Sequence, residues 1–274
     1  MKHHPKNNIM RYKVCMITGA TSGIGLATAH ALAEKGAEVI VVGRNPVQSA
    51  LAVEQIKDST HNDNVRFLLA DLSSQAQIHD LVEDFTDEYD KLDVLINNAG
   101  AMFPERQESV DGLEMTFAVN HLAYFLLTNL MLPVLTHSAS ARVVNVASGM
   151  QSRLMFSDLQ NQHNYSGWDA YAQSKFANIL FTYELARRIS TQKITANVLN
   201  PGVVKTNLYP GNLSPEEGAK TSVYLATSPE VEGVSGDYFY RCRSAQSSPE
   251  TYNVAGARQL WKISEALTDA VIPV

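Results

Sequence analysis

An apolar strand at residues 12–17 runs into the segment Thr18-Gly19-Ala20-Thr21-Ser22-Gly23-Ile24-Gly25. A helical run over 26–35 follows and stops at Gly36. This succession constrains the fold more than any other stretch. Glycines let a backbone approach a pyrophosphate, and the unpaired N–H groups at a helix start attract its charge. A tight turn that needs small residues is the plainer alternative. Three glycines between a strand and a helix favour the phosphate loop instead. Their spacing is Gly-x3-Gly-x-Gly, not the Gly-x-Gly-x2-Gly of the common dinucleotide fingerprint.

The rest of the chain continues the alternation. The pattern predicts strands at 13–18, 38–43, 65–70, 92–97, 142–147, 195–200 and 236–241. Helices are predicted at 23–35, 46–57, 74–88, 112–135, 169–190, 215–227 and 254–267. Runs such as Val39-Ile40-Val41-Val42 and Val143-Val144-Asn145-Val146 suit strands covered on both faces. Strands alternating with helices imply right-handed crossovers and a parallel sheet. The expected architecture is α/β: a single-domain, doubly wound Rossmann fold over 12–274, with seven parallel strands, helices on both faces and a flexible tail at 1–11. A chain of 274 residues, 45% of them hydrophobic, is long enough for one such core. Ligands then bind at the carboxyl ends of the strands, at the topological switch point.

Tyr171-Ala172-Gln173-Ser174-Lys175 sets a phenol and an ammonium at i and i+4, on one face of a helix. A positive charge beside a phenol favours phenolate. The spacing therefore predicts a Tyr171 pKa lowered toward neutrality and a general acid/base usable near pH 7. Many helices carry Tyr and Lys at this spacing, so the pair gains its weight from the other segments.

Together these segments resemble the short-chain dehydrogenase/reductase family. Residues 18–25 are similar to its cofactor loop, Asn97-Asn98-Ala99-Gly100 to its second signature, and residues 171–175 to its Tyr-x3-Lys active site. Ser148, after the strand 142–147, stands where the family keeps its catalytic serine. Asn120 falls at the fourth catalytic position, and Pro201-Gly202 resembles the nicotinamide-side turn. Asn120-His121-Leu122, Ser174-Lys175-Phe176-Ala177-Asn178, Pro201-Gly202-Val203-Val204-Lys205-Thr206 and Leu260-Trp261 look most like the retinol dehydrogenase-like branch.

The resemblance implies an oxidoreductase that interconverts a carbonyl and an alcohol. Tyr171 would move the proton, Lys175 would lower the Tyr171 pKa and bind the cofactor ribose, and Ser148 would hold the substrate oxygen. Asn120 would anchor a water linking Lys175 to solvent, while His121 reads as a packed neighbour. A strand-end cap for Ser148 and a helix breaker for Asn120 are the plainer alternatives. The implied cofactor contacts are Gly19, Thr21, Ser22, Gly23, Ile24 and Gly25 at the phosphates. Asp71 and Leu72 would meet the adenine; Asn97, Ala99, Gly100, Tyr171 and Lys175 the riboses; Pro201, Gly202, Val203 and Thr206 the nicotinamide.

Cofactor choice is read where the second strand ends, in Val42-Gly43-Arg44-Asn45. No acid stands there to hold a ribose 2′-OH, and Arg44 beside Asn45 can offer a bidentate contact to a 2′-phosphate, so NADP(H) is expected. A solvated surface Arg is the alternative. The segments 101–112, 149–168 and 207–214 should surround the nicotinamide. They carry Met102, Phe103, Met150, Leu154, Met155, Phe156, Leu208 and Tyr209. Met-bearing walls adapt to apolar ligands. Met102, Met150 and Leu208, with Ser148 and Tyr171, are therefore the expected substrate contacts for a bulky, mainly apolar aldehyde or ketone. Retinal-like compounds are candidates, although the segment 207–214 is shorter than the resemblance leads one to expect. The alternative reading is an NADPH-binding sensor without turnover.

A net charge of −6 argues against a nucleic-acid surface. Two cysteines suggest no disulfide framework, and the eight histidines show no ligand spacing, so no metal is expected. Residues 1–11 lack the apolar core of a signal peptide. The longest apolar stretch, 122–135, is too short to span a bilayer, so a cytoplasmic protein without a membrane anchor is expected. The predicted helices 112–135 and 169–190 are apolar on more than one face, at Phe117, Tyr124, Phe125, Met131, Phe176, Ile179, Phe181 and Tyr183. The matching family helices form a dimer interface, which implies a homodimer or homotetramer.

Overall fold

The computed structural model describes residues 9–270. One sheet, in the order β3-β2-β1-β4-β5-β6-β7-β8, carries the fold. Its strands are β1 (Val14–Thr18), β2 (Glu38–Gly43), β3 (Val65–Leu69), β4 (Val94–Asn97), β5 (Ala141–Val146), β6 (Ile194–Asn200), β7 (Tyr238–Tyr240) and β8 (Arg243–Ala245). The seven expected strands run parallel. The eighth, β8, corrects the expected count and pairs antiparallel with β7, Tyr238 opposite Ala245. It forms because Arg241 and Cys242 take positive φ of 51° and 58° and turn the chain back. Two successive positive-φ residues make the turn that suits hairpin twist, and Arg and Cys are not residues that announce one.

The helices are α1 (Gly23–Glu34), α2 (Pro46–Thr60), α3 (Gln75–Glu88), α4 (Met115–Phe117), α5 (Ala123–Thr136), α6 (Gly167–Arg188), α7 (Pro215–Thr227) and α8 (Val254–Thr268). The period-2 pleat sorts the strand residues between two layers. Cys15, Ile17, Val39 and Val41 pack with Ala29, Leu32, Ile56 and Leu225 of α1, α2 and α7. Met16, Ile40, Val42 and Leu95 pack with Phe85, Tyr124, Phe125 and Phe181 of α3, α5 and α6. Buried Asp93 ties down the opposite end of the sheet from the site. Its carboxylate accepts from Lys13 Nζ at 2.8 Å, Ser138 Oγ at 2.6 Å and the Val14 N–H at 3.0 Å. Burial works to raise its pKa, but these bonds and Lys91 outweigh burial and hold it below the usual carboxylate value.

The predicted helix 112–135 is not one regular helix. The Glu114 carboxylate caps α4, accepting from the N–H groups of Thr116 and Phe117 at 2.8 and 2.7 Å. A π turn over Ala118–Leu122 then leads into α5. The continuous helix Met115–Thr136 has 22 residues and contains an 18-residue window with a mean hydropathy of 1.4. Length and composition alone would let it cross a membrane, contrary to the reading of 122–135. Here it is a core helix, its apolar window 83% buried in the protein.

The apolar faces of α5 and α6 find cover within the chain. Trp261 of α8 meets Phe125 at 5.0 Å and Phe181 at 5.8 Å between ring centres, and the Arg188 guanidinium lies 4.1 Å over the indole. Leu260 joins Phe117, Phe176 and Leu180. All eight residues that suggested a dimer interface are buried in the single chain. Their burial therefore needs no second copy. Of the expected tail 1–11, residues 1–8 lie outside the described residues. Met10 is buried, and its N–H donates to the Lys35 carbonyl at 3.2 Å.

Candidate active site

The glycine loop leaves β1 at Thr18 with Gly19 at φ +64°, where an added Cβ would lie 2.8 Å from Ala99 Cα. Thr18 and Asn98 lock this loop to the end of β4. The N–H groups of Asn98 and Ala99 donate to Thr18 Oγ1 at 2.9 and 3.1 Å, and Asn98 Nδ2 donates to the Thr18 carbonyl at 2.8 Å. A Cβ on Gly25 would strike that Nδ2 at 2.5 Å, which is why the helix can start so close to the strand. Ser22 precedes α1 without a side-chain cap bond, and the first turn holds no acid. The first N–H groups of α1 therefore present an open, positive end, at the switch point where β1 lies between β2 and β4. This cradle of small residues fits a dinucleotide pyrophosphate, with Thr21, Ile24 and Gly100 around it.

The outer contacts are less uniform. Arg44 is exposed at the end of β2 and has no hydrogen-bond or ion-pair partner among the described residues. Asn45 spends its Oδ1 capping α2, accepting from the Gln48 N–H at 3.0 Å. Asp71, next to half-buried Leu72, accepts from the Ser73 N–H at 3.0 Å and its hydroxyl at 2.7 Å. The side chain of Asn97, expected beside the ribose, instead lies in the core. Its Nδ2 donates to Thr128 Oγ1 and Asn145 Oδ1, both at 2.8 Å. The last residue of a strand points to one face or the other, and here the pleat turns it inward.

Ser148 after β5, Tyr171 and Lys175 on α6, and Asn120 in the π turn converge. The Ser148 hydroxyl accepts from the Met150 N–H at 3.0 Å and acts to lower the Tyr171 pKa. Lys175 is 2% exposed; its Nζ donates to the Val146 carbonyl at 3.1 Å and lies 5.7 Å from the Tyr171 ring centre. Burial pushes the Lys175 pKa down to about 7. The Tyr171 pKa is raised, burial outweighing the influence of Ser148, opposite to the expectation from spacing. Desolvation disfavours the charged form of both groups, and at this distance it wins over their mutual attraction.

Asn120 holds the floor. Its Oδ1 accepts from the Ala101 N–H at 2.8 Å; its Nδ2 donates to the Ala101 carbonyl and to Ser174 Oγ, both at 2.9 Å. Ser174 in turn donates to the Tyr171 carbonyl at 2.7 Å. The Asn120 carbonyl accepts from Asn178 Nδ2 at 2.8 Å, Asn178 Oδ1 faces His121 Nδ1 at 3.3 Å, and His121 Nε2 meets Ser264 Oγ of α8 at 2.9 Å. His121 is thus a packed neighbour that also links the π turn to the last helix.

A cleft of about 260 Å³ opens beside Ser148 and Tyr171. Met102, Met150 and Leu208 line it as expected, with Ile24, Pro201, Gly202, Val203 and Thr206, and no lining residue is charged. Other expected wall residues lie elsewhere. Leu154 is buried with Phe117, Phe156 packs on that cluster, Met155 is exposed, and Phe103 does not line the cleft. Trp168 lines the cleft unannounced and meets Tyr209 edge to face, ring centres 5.9 Å apart at 85°. The predicted helix began at 169, but α6 begins at Gly167. With that start, Trp168 and Tyr171 stand at i and i+3 on one face, a relation that would have revealed it.

Residues 13–216 match the family model described as short chain dehydrogenase. Human polyprenol dehydrogenase is 42% identical over 280 residues, spanning 93% of this chain and 85% of that protein. Mouse retinol dehydrogenase 14 is 40% identical over 290 residues, spanning 94% and 86%. The crystal structure of a short chain dehydrogenase from Escherichia coli CFT073 complexed with NADPH is similar at a TM-score of 0.70 and 25% identity, covering 86% of this chain and 99% of that one.

Proposed function

Because the chain belongs to the short-chain dehydrogenase family, in its retinol dehydrogenase-like branch, and is thereby an oxidoreductase of the CH–OH/C=O couple, we propose that it interconverts a bulky, mainly apolar aldehyde or ketone and its alcohol with NADP(H). One observation carries this reading: Ser148 and Tyr171 open into an uncharged, largely apolar cleft that Ile24 of the glycine loop also lines. Relatives named for polyprenol and retinol, both apolar alcohols, agree with it.

When bound, the nicotinamide supplies the hydride. Gly19, Thr21, Ser22, Gly23, Ile24 and Gly25 would hold the pyrophosphate and Arg44 the 2′-phosphate. Asp71 and Leu72 would serve the adenine. The backbone of Asn97, Ala99 and Gly100, with Lys175, would hold the riboses, and Pro201, Gly202, Val203 and Thr206 the nicotinamide. Ser148 and Tyr171 bind the substrate oxygen. In reduction Tyr171 gives that oxygen its proton, and the burial that raises its pKa keeps the phenol protonated and ready. In oxidation the phenolate takes the proton, so this direction gains as pH rises. Asn120 fixes the backbone at Ala101 and the helix at Ser174, and so keeps Tyr171 and Lys175 in register.

The test is NADPH consumption with retinal, long-chain aldehydes and quinones. Turnover of apolar aldehydes above sugars and 2-keto acids is expected. NADPH binding without turnover of any of them would leave a cofactor-binding sensor in place of an enzyme.

A further inference from the structure

We propose that Trp168 and Tyr209 form an aromatic clamp that holds the apolar chain of the substrate outside the catalytic cleft, so that this pair sets the length of alcohol or aldehyde accepted. The proposal rests on the reductase reading above.

The cleft is too small to enclose an elongated substrate. Its volume of about 260 Å³ falls below the range of roughly 300–1,000 Å³ that encloses drug-sized ligands. Ile24, Pro201, Gly202, Val203 and Thr206, the residues assigned to the cofactor, line the same space. What remains admits the reacting end alone, and the rest of a long molecule must lie across the mouth.

The mouth is built for that. Met150, Trp168 and Tyr209 line the cleft yet remain 41%, 48% and 42% exposed. Single exposed apolar side chains are ordinary, but three around one opening form a surface an apolar ligand can cover.

The two rings are also held in advance. Trp168 stands in the first turn of α6, whose N-cap Ser166 accepts from the Asp169 N–H at 3.3 Å. Gly167 beside it packs against the Phe103 carbonyl with no room for a Cβ. Tyr209 sits on a short hairpin that bonds to itself. The Thr206 N–H donates to the Tyr209 carbonyl at 2.9 Å, the Tyr209 N–H to Thr206 Oγ1 at 3.3 Å, and the Lys205 N–H to the Leu213 carbonyl at 2.8 Å. A short lid would limit chain length if it had to cover the substrate. As half of a preformed aromatic pair it holds the chain against one side and lets the far end extend into solvent or lipid. The rings meet edge to face with centres 5.9 Å apart, so the chain lies across the pair and not between them, and flat, unsaturated or unbranched chains suit that surface.

The experiment measures kcat/KM with NADPH for straight-chain aldehydes from butanal to decanal in the wild type, Trp168→Ala, Tyr209→Ala and Trp168→Phe. The wild type should prefer decanal. Either alanine variant should reduce the decanal-to-butanal ratio about tenfold, the scale of one lost aromatic contact, and Trp168→Phe should restore most of it. Intrinsic fluorescence gives a readout without turnover, because the other tryptophan, Trp261, is 1% exposed. Decanol should perturb wild-type emission and leave Trp168→Phe unchanged. Turnover with the same length preference in wild type and both alanine variants would overturn the clamp and leave the reductase intact. A decanol response that depends on Trp168 in a protein that reduces no aldehyde would support the clamp and sink the reductase.

Discussion

Burial sets the chemistry of Lys175 and Tyr171 at the scale of single residues. Burial pushes the Lys175 pKa down to about 7 and raises that of the phenol beside it, which keeps Tyr171 protonated at neutrality. Tyr171→Phe should therefore lower kcat for aldehyde reduction by about 10²–10⁴, the usual range for a general acid, while NADPH binding persists in a fluorescence titration. A variant of near wild-type rate would remove Tyr171 from the mechanism. Arg44 offers a different test because it has nothing else to do. Replacing it by Asp should weaken NADPH by one to two decades, from roughly 1.5–3 kcal/mol per lost charge-assisted bond. NADH should be spared, so titration of both cofactors reads the change as a ratio. An unchanged ratio would make Arg44 a surface residue.

Among the elements, the π turn over Ala118–Leu122 and helix α8 act as one support for the site. His121 joins them and is buried among Phe117, Phe125 and Phe181, with Asn178 and Ser264 on its nitrogens and no charged partner. Burial pushes its pKa down to about 4, the Asn178 bond opposing only in part. The imidazole is neutral in the folded chain, whereas the unfolded chain takes up a proton near pH 6.5. Stability from this group is therefore complete above pH 6.5 and is lost as pH falls from 6.5 toward 4. Unfolding free energies from urea titrations at pH 7.5 and 5 should differ by about 2 kcal/mol more in the wild type than in His121→Gln. Equal pH slopes would show that His121 titrates normally.

For the whole molecule, the question is what covers the apolar backs of α5 and α6. A homodimer was the expectation, but α8 lies across them, with Trp261 against Phe125 and Phe181. Light scattering at micromolar concentration should return a mass near the 30.1 kDa of one chain. A mass of twice that would require another face. Trp261→Ala should cost about 3–5 kcal/mol in chemical unfolding, as large buried aromatics do, and should expose the two phenylalanines to self-association.

Local patterns in the sequence determined the positions of the seven parallel strands, the glycine loop and the spacing of Tyr171 and Lys175. These features follow from requirements a few residues long: a two-residue pleat, a helical turn, a loop without side chains. The inward turn of Asn97, the raised phenol of Tyr171, the arrival of Trp168 at the cleft and the capping of two helices by α8 were decided only by the tertiary structure. Each is set by segments far apart in the chain, and desolvation and packing sum over all of them at once.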